Sequence, residues 1–390
     1  MSRTSFSPAD QQVREWLGRQ CTSYGLTMHT DGIGNIILGL PQAAVPAASP
    51  VWAGSHLDSV PEGGRFDGIV GSIAALEALR VIAERGIPLQ RPVQAVIFAD
   101  EEGNYHHLLG STAMVANYPW AELAQLRGRD GDRLVDALAG MGWDPAEATG
   151  TARQAGDVHA FLELHIEQGP VLEAAGVDIG IVTSIVGLGG GQVTFTGRQD
   201  HAGTTPMRQR LDPMPAAGAF LAQLPAIAAA AGDAAVLTCG LIEAEPGGTN
   251  VVPHQVTAHL DFRDPHPQAL ASLEQGIIEA ASAAAEAHGV QSRYTRHSIT
   301  RPVPLDPVLQ DELHLSAKAQ GLSTTTLPSG AGHDSQNMAQ IAPTAMVFIP
   351  SRHGRSHSPA EHSSWAAIEN GANVLLDVLL GLASAEAGRG

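Results

Sequence analysis

The chain of 390 residues has little of several residue types on which whole classes of protein depend. It contains two cysteines, Cys21 and Cys239, which are too few for a disulfide scaffold or for a zinc site made of four cysteines. Its one lysine, Lys318, lies in an ordinary helical pattern, so Schiff-base chemistry has no distinctive candidate. The sequence has no G-x-x-x-x-G-K-[ST] pattern, which excludes nucleotide chemistry at a P-loop.

Basic residues and long apolar runs are also scarce. The 22 lysines and arginines are outnumbered by 40 aspartates and glutamates, and the net charge of −18 argues against a nucleic-acid partner. No uninterrupted apolar run reaches the roughly 18 residues that span a bilayer, which predicts no membrane association. The N-terminal segment lacks the apolar stretch of a signal peptide. With two cysteines that suit reduced thiols, these features predict a cytoplasmic protein.

The first half of the chain alternates apolar strand patterns with a helical pattern. The stretch 51–58 is predicted to be a strand that runs into a loop, 93–103 a strand followed by acids, 160–169 a third strand and 68–86 a helix. This β-α-β order predicts an α/β fold with a mostly parallel sheet covered by helices. A helix, a strand at 343–351 and a last helix would complete the same sheet.

The middle of the chain has a different pattern. An alternating strand, a helix at 212–231, two strands around a Gly-Gly turn, a helix at 267–289 and a last strand follow one another. This β-α-β-β-α-β order is that of a ferredoxin-like α+β module. We therefore predict an inserted second domain at 189–304, within a discontinuous first domain formed by 1–188 and 305–390.

Histidines and carboxylates concentrate at the predicted strand ends. His56, Glu101, Glu102 and His165 all lie at or near such ends. Because ligand sites in open α/β sheets form at the carboxyl ends of the strands, these four side chains are expected to meet. Imidazole and carboxylate together suit Zn²⁺, with Mn²⁺, Co²⁺ or Ni²⁺ as substitutes.

The stretch GSHLDSVPEGGRFDG, residues 54–68, adds two carboxylates to this group. Asp58 could accept a hydrogen bond from His56 and fix its tautomer. Asp67 lies in a glycine-rich loop, where the two oxygens of its carboxylate could bridge two metal ions. The alternative is that His56 is a structural core histidine in an ordinary loop.

The adjacent Glu101 and Glu102 in FADEEGN suit a division of roles. One carboxylate would hold a metal ion while the other takes a proton from the attacking water, as two-metal hydrolysis requires. The alternative is a solvated turn. A later stretch, PSRHGRSHSPAEHSS, has histidines at positions 353, 357 and 362, of which only one need be a ligand.

These motifs resemble those of the M20-type di-metal amidohydrolases, in the branch of N-carbamoyl-L-amino acid hydrolases, β-ureidopropionases and allantoate amidohydrolases. The stretches that carry the resemblance span residues 54 to 359 and read GSHLDSVPEGGRFDG, FADEEG, LELHIEQGPVLE, DHAGTTPM, GGTNVVP, HLDFRD, SGAGHDSQ and RSHSP. The pair HIEQGPVLE and HAGTTPM is quite specific to this branch.

The resemblance implies a role for each matching residue. Two divalent metal ions would be held by five ligands, which are His56, Asp67, Glu102, His165 and His357. Asp67 would bridge the two ions. Glu101 would be the general base, which takes a proton from the attacking water and passes it to the leaving nitrogen, and Asp58 would orient His56.

The resemblance also implies residues that contact the substrate. His201, from the neighbouring subunit, would polarise the scissile carbonyl, and Asn250 with Arg263 would bind the substrate carboxylate. Gln168 and His333 would line the pocket. Plainer alternatives exist, since His201 could cap a turn, Asn250 could be a turn residue and Arg263 could be a surface cation.

Two further features follow from the resemblance. Residues 189–304 would be a lid and dimerisation domain of a homodimer. The segment Asn104, Tyr105, His106 and His107 departs from the family, whose members commonly carry an Arg-Phe pair there, and it could reshape the substrate pocket.

We predict a metal-dependent hydrolase of linear C–N amide bonds. Its substrate would be a carboxylate-bearing N-carbamoyl-L-amino acid, cleaved to amino acid, carbon dioxide and ammonia. Allantoate or a related ureide of purine breakdown is one alternative, and an aminoacylase or peptidase that releases no ammonia is another. A catalytically silent binding protein is a third, but the presence of Glu101 and of all five ligands argues against it.

Overall fold

The computed structural model of the protein describes residues 1–41 and 48–384. Contacts divide the chain into two compact units, Met1–Thr183 with Leu305–Gly390 and Ser184–Pro304. The strands of the described residues are β1 (Thr27–Thr30), β2 (Ile36–Gly39), β3 (Val51–His56), β4 (Val93–Phe98), β5 (Ala160–Ile166), β6 (Ile179–Ile185), β7 (Gly187–Thr196), β8 (Asp200–His201), β9 (Val236–Glu245), β10 (Val251–Val252), β11 (Gln255–Asp264), β12 (Gln291–Ile299), β13 (Val303–Pro304), β14 (Thr324–Ser329) and β15 (Thr344–Ile349). The α-helices of the described residues are α1 (Pro8–Tyr24), α2 (Ile69–Arg85), α3 (Leu109–Val115), α4 (Trp120–Leu123), α5 (Leu134–Gly140), α6 (Val171–Ala175), α7 (Pro213–Leu221), α8 (Leu224–Ala231), α9 (Pro267–His288), α10 (Pro307–Ala319), α11 (Asp334–Met338) and α12 (Trp365–Ser384).

The central sheet has nine strands in the order β1-β2-β4-β3-β5-β15-β6-β13, with β14 paired to β6. Its middle is parallel, because β3 pairs with both β4 and β5, and β5 pairs with β15. The flanking strands β1, β2, β6 and β13 pair antiparallel. The prediction of an α/β fold with a parallel-rich sheet is therefore confirmed.

Helices pack on both faces of this sheet. Successive side chains point to opposite sides of each strand, so each strand contributes to a core on either face. In β4, Val93, Ala95 and Ile97 pack into a core with α2, α10 and α12. Val96 and Phe98 of the same strand pack into a second core with α3 and α11. The apolar runs of the sequence are continuous rather than alternating for this reason.

The chain turns sharply after β4, before the glutamates near the end of the stretch 93–103. β4 ends at Phe98, and Asp100 has a φ of +56°. The Asp100 carboxylate accepts hydrogen bonds from the amides of Asn104 (2.8 Å) and Tyr105 (2.9 Å). These bonds hold the two adjacent glutamates at the end of the sheet.

The second unit contains a four-stranded antiparallel sheet in the order β12-β7-β11-β9. Along the chain, β7, the helices α7 and α8, then β9, β11, α9 and β12 follow one another. The core of this unit lies between its sheet and its helices and includes Val193, Phe195, Phe220, Phe262 and Ile277. The helices and the sheet therefore bury a core of their own.

The helix predicted at 212–231 is two helices, α7 and α8, so its predicted continuity is wrong. Pro225 lies in the first turn of α8, where a missing amide hydrogen costs little. In a continuous helix the ring of Pro225 would clash with the carbonyl of Leu221. The break at this proline therefore has a local steric cause.

Two described stretches, Pro213–Ala231 and Trp365–Ser384, are long and apolar enough to cross a membrane. Length and composition are weak evidence for a membrane span, because core helices of soluble proteins have the same length and composition. The second stretch is α12, whose Val374, Leu375 and Leu379 are buried in the core with α2. Its apolar residues are accounted for by this packing.

Candidate metal centre

The predicted ligands lie at the carboxyl ends of neighbouring parallel strands. His56 is the last residue of β3, and His165 lies near the end of β5. Glu101 and Glu102 follow β4, and His357 follows β15. Since β4, β3, β5 and β15 are adjacent in that order, their carboxyl ends meet at one edge of the sheet.

Asp67 lies at the centre of this group. Its Oδ1 is 3.1 Å from Nε2 of His165 and 3.7 Å from Nε2 of His56. Its Oδ2 is 3.2 Å from Nε2 of His357, which lies 3.5 Å from Oε2 of Glu102. One carboxylate therefore faces two imidazoles with one oxygen and a third imidazole with the other.

Backbone carbonyls orient the two buried imidazoles. Nδ1 of His56 is 3.1 Å from the carbonyl oxygen of Asp58, and Nδ1 of His165 is 2.9 Å from that of Ile166. Nε2 of His165 also accepts a hydrogen bond from the amide of Gly68 (3.2 Å). In both rings Nδ1 therefore donates to a carbonyl oxygen, and Nε2 is the nitrogen that would lose its proton and bind a metal ion.

The Asp58 carboxylate holds the glutamate pair. It accepts hydrogen bonds from the amides of Glu101 (3.3 Å) and Glu102 (3.0 Å). Its Oδ1 is 3.7 Å from Nδ1 of His56, farther than the Asp58 carbonyl oxygen. In this geometry Asp58 orients His56 through its main chain and orients the two glutamates through its side chain.

Glu101 is a buried carboxylate next to an imidazole. It is 5% exposed, and its Oε2 is 3.6 Å from Nε2 of His56. Burial raises its pKa well above the ordinary value, and the charge of His56 opposes the rise while the carboxylates of Asp334 and Glu102 add to it. A carboxylate with a raised pKa is suited to accept a proton near neutral pH.

The electrostatics of the centre favour an ionised Asp67. Burial alone would raise the pKa of Asp67, but the imidazoles of His165, His357 and His56 beside it hold it well below its ordinary value. Burial would likewise lower the pKa of His56, yet the carboxylates around it, led by Glu101, raise it well above the ordinary value. Negative charge therefore dominates here, which is the condition for binding cations.

Two groups of side chains have the donor chemistry of a divalent metal site. Their ligand atoms lie within 4.8 Å of one another, and the groups are His56, Asp67, His165 and Asp67, Glu102, His357. Asp67 belongs to both groups. Nitrogen and oxygen donors in this combination suit Zn²⁺ and other first-row divalent ions, so the residues fit a pair of such ions.

A third group, formed by Glu163, His165 and His333, also brings three such atoms together. The Glu163 carboxylate already accepts hydrogen bonds from Oγ of Ser55 (2.8 Å) and Oγ of Ser335 (2.6 Å). His165 is shared with the first group. We therefore assign Glu163 to supporting the strand ends rather than to a metal ion.

The two residues predicted to line the pocket lie beside the centre. Gln168 donates through Nε2 to Oδ2 of Asp67 (2.8 Å), while its Oε1 is buried and has no hydrogen-bond partner among the described residues. The ring of His333 is 4.5 Å from that of His165, and its Nε2 is 2.8 Å from Oγ of Ser329. Burial, with His165 nearby, holds the pKa of His333 well below its ordinary value.

Two residues next to the centre were not predicted. Ser356 lies with its Oγ 3.0 Å from Oδ2 of Asp67, and Glu361 accepts hydrogen bonds from the amides of Phe66 (2.8 Å) and Asp67 (3.1 Å). Both flank His357 in RSHSPAE, so their position in the motif was the available signal. Nothing local shows that they contact a loop almost 300 residues earlier.

His201 and Asn250 are close to each other in the second unit. β8 and β10 pair His201 with Val251, and the carbonyl of Asn250 accepts a hydrogen bond from the amide of Ala202 (3.0 Å). Nδ1 of His201 accepts from the amide of Gly203 (3.0 Å), which leaves the proton on Nε2. The imidazole is exposed, so this N–H can donate.

Arg263 is far from that pair. β11 begins at Gln255, a few residues after Asn250, and Arg263 lies near its other end. Eight residues of extended strand span roughly 25 Å. Arg263 binds Asp261 through two nitrogens, Nε (2.8 Å) and Nη2 (3.2 Å). Within one chain, the structure does not bring Arg263 and Asn250 together.

The segment that departs from the family lies beside Glu101. Nδ1 of His107 is 2.8 Å from the carbonyl oxygen of Glu101. Nδ1 of His106 instead lies 3.2 Å from the hydroxyl of Tyr118, on the exposed side. The imidazole of His107, and not that of His106, therefore lies next to the glutamate turn.

Gly68 is the position where a substitution would disturb the centre most directly. Its φ is +66°, and a Cβ there would lie 2.4 Å from two ring atoms of His56. We expect Gly68→Ala to lose metal affinity and to cost about 1–3 kcal/mol in unfolding free energy from strain. Metal titration and thermal unfolding would measure both effects.

Gly86, at the other end of α2, is the matched control for that variant. It has a φ of +57°, but a Cβ at this position would have no atom within 4 Å, so Gly86→Ala adds strain without a clash. Metal affinity equal to that of the wild type in Gly68→Ala would contradict the expected displacement of His56.

Comparison with known proteins agrees with this geometry. Residues 52–381 match the family described as peptidase family M20/M25/M40. The chain is 37% identical to the N-carbamoyl-L-amino-acid amidohydrolase of Paenarthrobacter aurescens, over 98% of this chain and 93% of the relative. It is 34% identical to the allantoate amidohydrolase of Bacillus subtilis, over 95% and 91%. A solved amidase of the hydantoinase/carbamoylase family from Burkholderia multivorans is 32% identical, with a TM-score of 0.89 over 99% and 93%. The resemblance inferred from the motifs is confirmed, and the chain belongs to peptidase family M20/M25/M40.

Proposed function

We propose that the protein is a metal-dependent amidohydrolase that cleaves N-carbamoyl-L-amino acids to the amino acid, carbon dioxide and ammonia. The observation that carries the proposal is the pair of ligand groups that share Asp67, with Glu101 buried beside them and outside both. Relatives named N-carbamoyl-L-amino-acid amidohydrolase at 37% identity support the choice of substrate.

The two ligand groups would hold two divalent ions, with Zn²⁺ as the first choice and Mn²⁺, Co²⁺ or Ni²⁺ as substitutes. When bound, such ions would polarise the scissile carbonyl and increase the acidity of the attacking water. Asp67 would bridge the two positions, because each of its oxygens faces a different imidazole set.

Glu101 would be the general base. Its Oε2 would take a proton from the attacking water, and the same oxygen would deliver that proton to the leaving nitrogen. The raised pKa of this carboxyl suits both steps, since it must accept and release a proton near neutral pH. The Asp58 carboxylate would keep Glu101 in place by accepting a hydrogen bond from the Glu101 amide.

Gln168 and His333 would contact the ureido group. The buried Oε1 of Gln168 has no hydrogen-bond partner among the described side chains and can accept a hydrogen bond from a substrate N–H. His333 stays neutral because of its lowered pKa, so it adds no positive charge beside the ligands. A ureido group carries more N–H donors than an acyl amide, which favours a carbamoyl substrate.

His201 would donate to the carbonyl oxygen as negative charge develops on it. Its Nδ1 is occupied as an acceptor, so the proton lies on Nε2 and can point outward. A donor aimed at a developing oxyanion is worth roughly 3–4 kcal/mol of the barrier.

We also propose that the enzyme is a homodimer in which 189–304 serves as lid and dimerisation domain. Asn250 and Arg263 would bind the substrate carboxylate, but the roughly 25 Å of strand between them is too long for one small molecule. Two copies of the chain could supply one residue each. The reaction would take place in the cytoplasm, without a nucleic-acid or membrane partner.

Allantoate is the second candidate substrate. It also carries ureido groups and a carboxylate, and a relative named allantoate amidohydrolase is 34% identical to this chain. An N-acyl amino acid is a weaker candidate, because it offers fewer N–H donors to Gln168.

The test is ammonia release by the protein reconstituted separately with Zn²⁺, Mn²⁺, Co²⁺ or Ni²⁺. The panel would contain N-carbamoyl-L-amino acids, N-carbamoyl-β-alanine and allantoate, with N-acetyl amino acids followed by their free amine. We expect chelator-sensitive ammonia from the carbamoyl amino acids. Ammonia from allantoate alone would replace the substrate, and no product from any compound with two metals bound would contradict the proposal.

A further inference from the structure

Glu361 is a buried carboxylate beside the metal centre that the proposed reaction does not use. It is 2% exposed. Its Oε1 accepts hydrogen bonds from the amides of Phe66 (2.8 Å) and Asp67 (3.1 Å). Its Oε2 lies 2.9 Å from Oγ of Ser356. A buried carboxylate with two amide donors and a hydroxyl beside it is stable where it lies, and it fixes the groups that donate to it.

The loop that carries Asp67 is shaped around this carboxylate. A Cβ at Gly64 would lie 1.8 Å from Oε1 of Glu361 and 2.4 Å from its Oε2. Since Oε1 is held by two amides and Oε2 lies against Ser356, these atoms have no room to move aside. Glycine at position 64 is therefore required for Glu361 to reach the main chain of Asp67.

Ser356 connects Glu361 to the side chain of Asp67. Its Oγ lies 3.0 Å from Oδ2 of Asp67 and 2.9 Å from Oε2 of Glu361. A hydroxyl has one proton, so it can donate to only one of these carboxylates at a time. Ser356 also precedes His357, whose Nε2 is 3.2 Å from the same Asp67 oxygen.

We propose that Glu361 is a positioning residue that sets the orientation of Asp67 and thereby the affinity of the centre for both metal ions. It holds Asp67 directly through the main-chain amide, and it shares the Ser356 hydroxyl with the Asp67 side chain. This inference rests on the proposed metal ligands, but not on the identity of the substrate. Loss of an outer partner that orients a ligand typically weakens metal binding by about 10–100-fold.

Two substitutions separate positioning from charge. Glu361→Gln keeps the length of the side chain and one oxygen that can accept from both amides. Glu361→Asp keeps the charge but is one methylene shorter, so it cannot reach the amides and Ser356 together. The metal-free proteins would be titrated with Zn²⁺ and with Mn²⁺ against a competing chelator. We expect Glu361→Asp to bind about 10–100-fold more weakly and Glu361→Gln to stay near the wild type.

Controls distinguish this effect from general loss of structure. Glu369→Ala removes an exposed carboxylate of α12 and is expected to leave metal affinity unchanged. Thermal unfolding of each metal-free variant reports whether it folds. Wild-type affinity in Glu361→Asp, or weak binding by Glu361→Gln alone, would overturn the proposal.

A second variant keeps the test decisive if Glu361→Asp does not fold. Ser356→Ala removes the link to the Asp67 side chain and leaves both amide hydrogen bonds intact. Weaker metal binding by this variant supports the proposal, and unchanged binding overturns it. A wild-type protein that binds two metal ions but hydrolyses no ureido compound would remove the proposed substrate and leave this inference in place.

Discussion

The variant Glu101→Gln is expected to lose about 10²–10⁴-fold in kcat while it still binds two metal ions. Glutamine has the shape of glutamate but cannot accept the proton from the attacking water. Glu101 lies outside both ligand groups, so its neutralisation removes no metal ligand. Ammonia release under substrate saturation and metal analysis of the same sample would measure the two effects together.

The neighbouring Glu102→Gln is the matched control for that experiment. Glu102 lies in the group with Asp67 and His357, and its Oε2 is 3.5 Å from Nε2 of His357. We expect this variant to lose metal, unlike Glu101→Gln, although the chemical change is identical. Near-normal turnover by metal-replete Glu101→Gln would remove Glu101 as the base.

The variant Asp67→Asn is expected to weaken both metal positions at once. Asp67 is the one residue that both ligand groups share, and its two oxygens face different imidazoles. The side-chain nitrogen of asparagine is a poor metal ligand, and the side chain lacks the negative charge that attracts the ions. The loss should exceed the roughly 10–100-fold that follows removal of an outer partner.

Metal content after dialysis and chelator-competition titration would measure this loss. Glu62→Gln is the control, because Glu62 lies exposed in the same loop and loses the same charge. Retention of one ion at wild-type affinity by Asp67→Asn would show that Asp67 is not shared, and the two-metal assignment would then fail.

The sequence was informative where a role depends on a residue's position in its own element. His56 and His165 were placed near strand ends by the apolar runs that precede them, and the structure has them there. The strand order puts those ends side by side, because parallel strands bring their carboxyl ends to one edge. The convergence of the ligands was therefore predictable before any distance was known.

The histidines at 353, 357 and 362 show where such reasoning stops. All three lie in one loop, and their spacing does not distinguish them. In the structure, His357 faces Asp67 at 3.2 Å, while the His353 amide bonds to Glu173 and the ring of His362 packs on Phe66. Apart from the RSHSP motif of the family, only contacts with distant segments separate the candidate ligand from its neighbours.

Asn250 and Arg263 illustrate the same limit in the second unit. Thirteen positions separate them along the chain, and that spacing alone does not predict how far apart they lie in space. The straight course of β11 places them at opposite ends of the strand, since an extended chain advances about 3.3 Å per residue. Within one chain they therefore lie too far apart to bind one small molecule.

The sequence by itself determined the α/β class, the family and the residue types of the centre, because periodicity and motifs are local properties of the chain. The tertiary structure alone decided which oxygen of Asp67 faces which imidazole and that Asp58 holds the glutamate pair. It also decided that Glu361 supports Asp67. These contacts join segments that are dozens to hundreds of residues apart, and only the packing of the sheet brings them within hydrogen-bond distance.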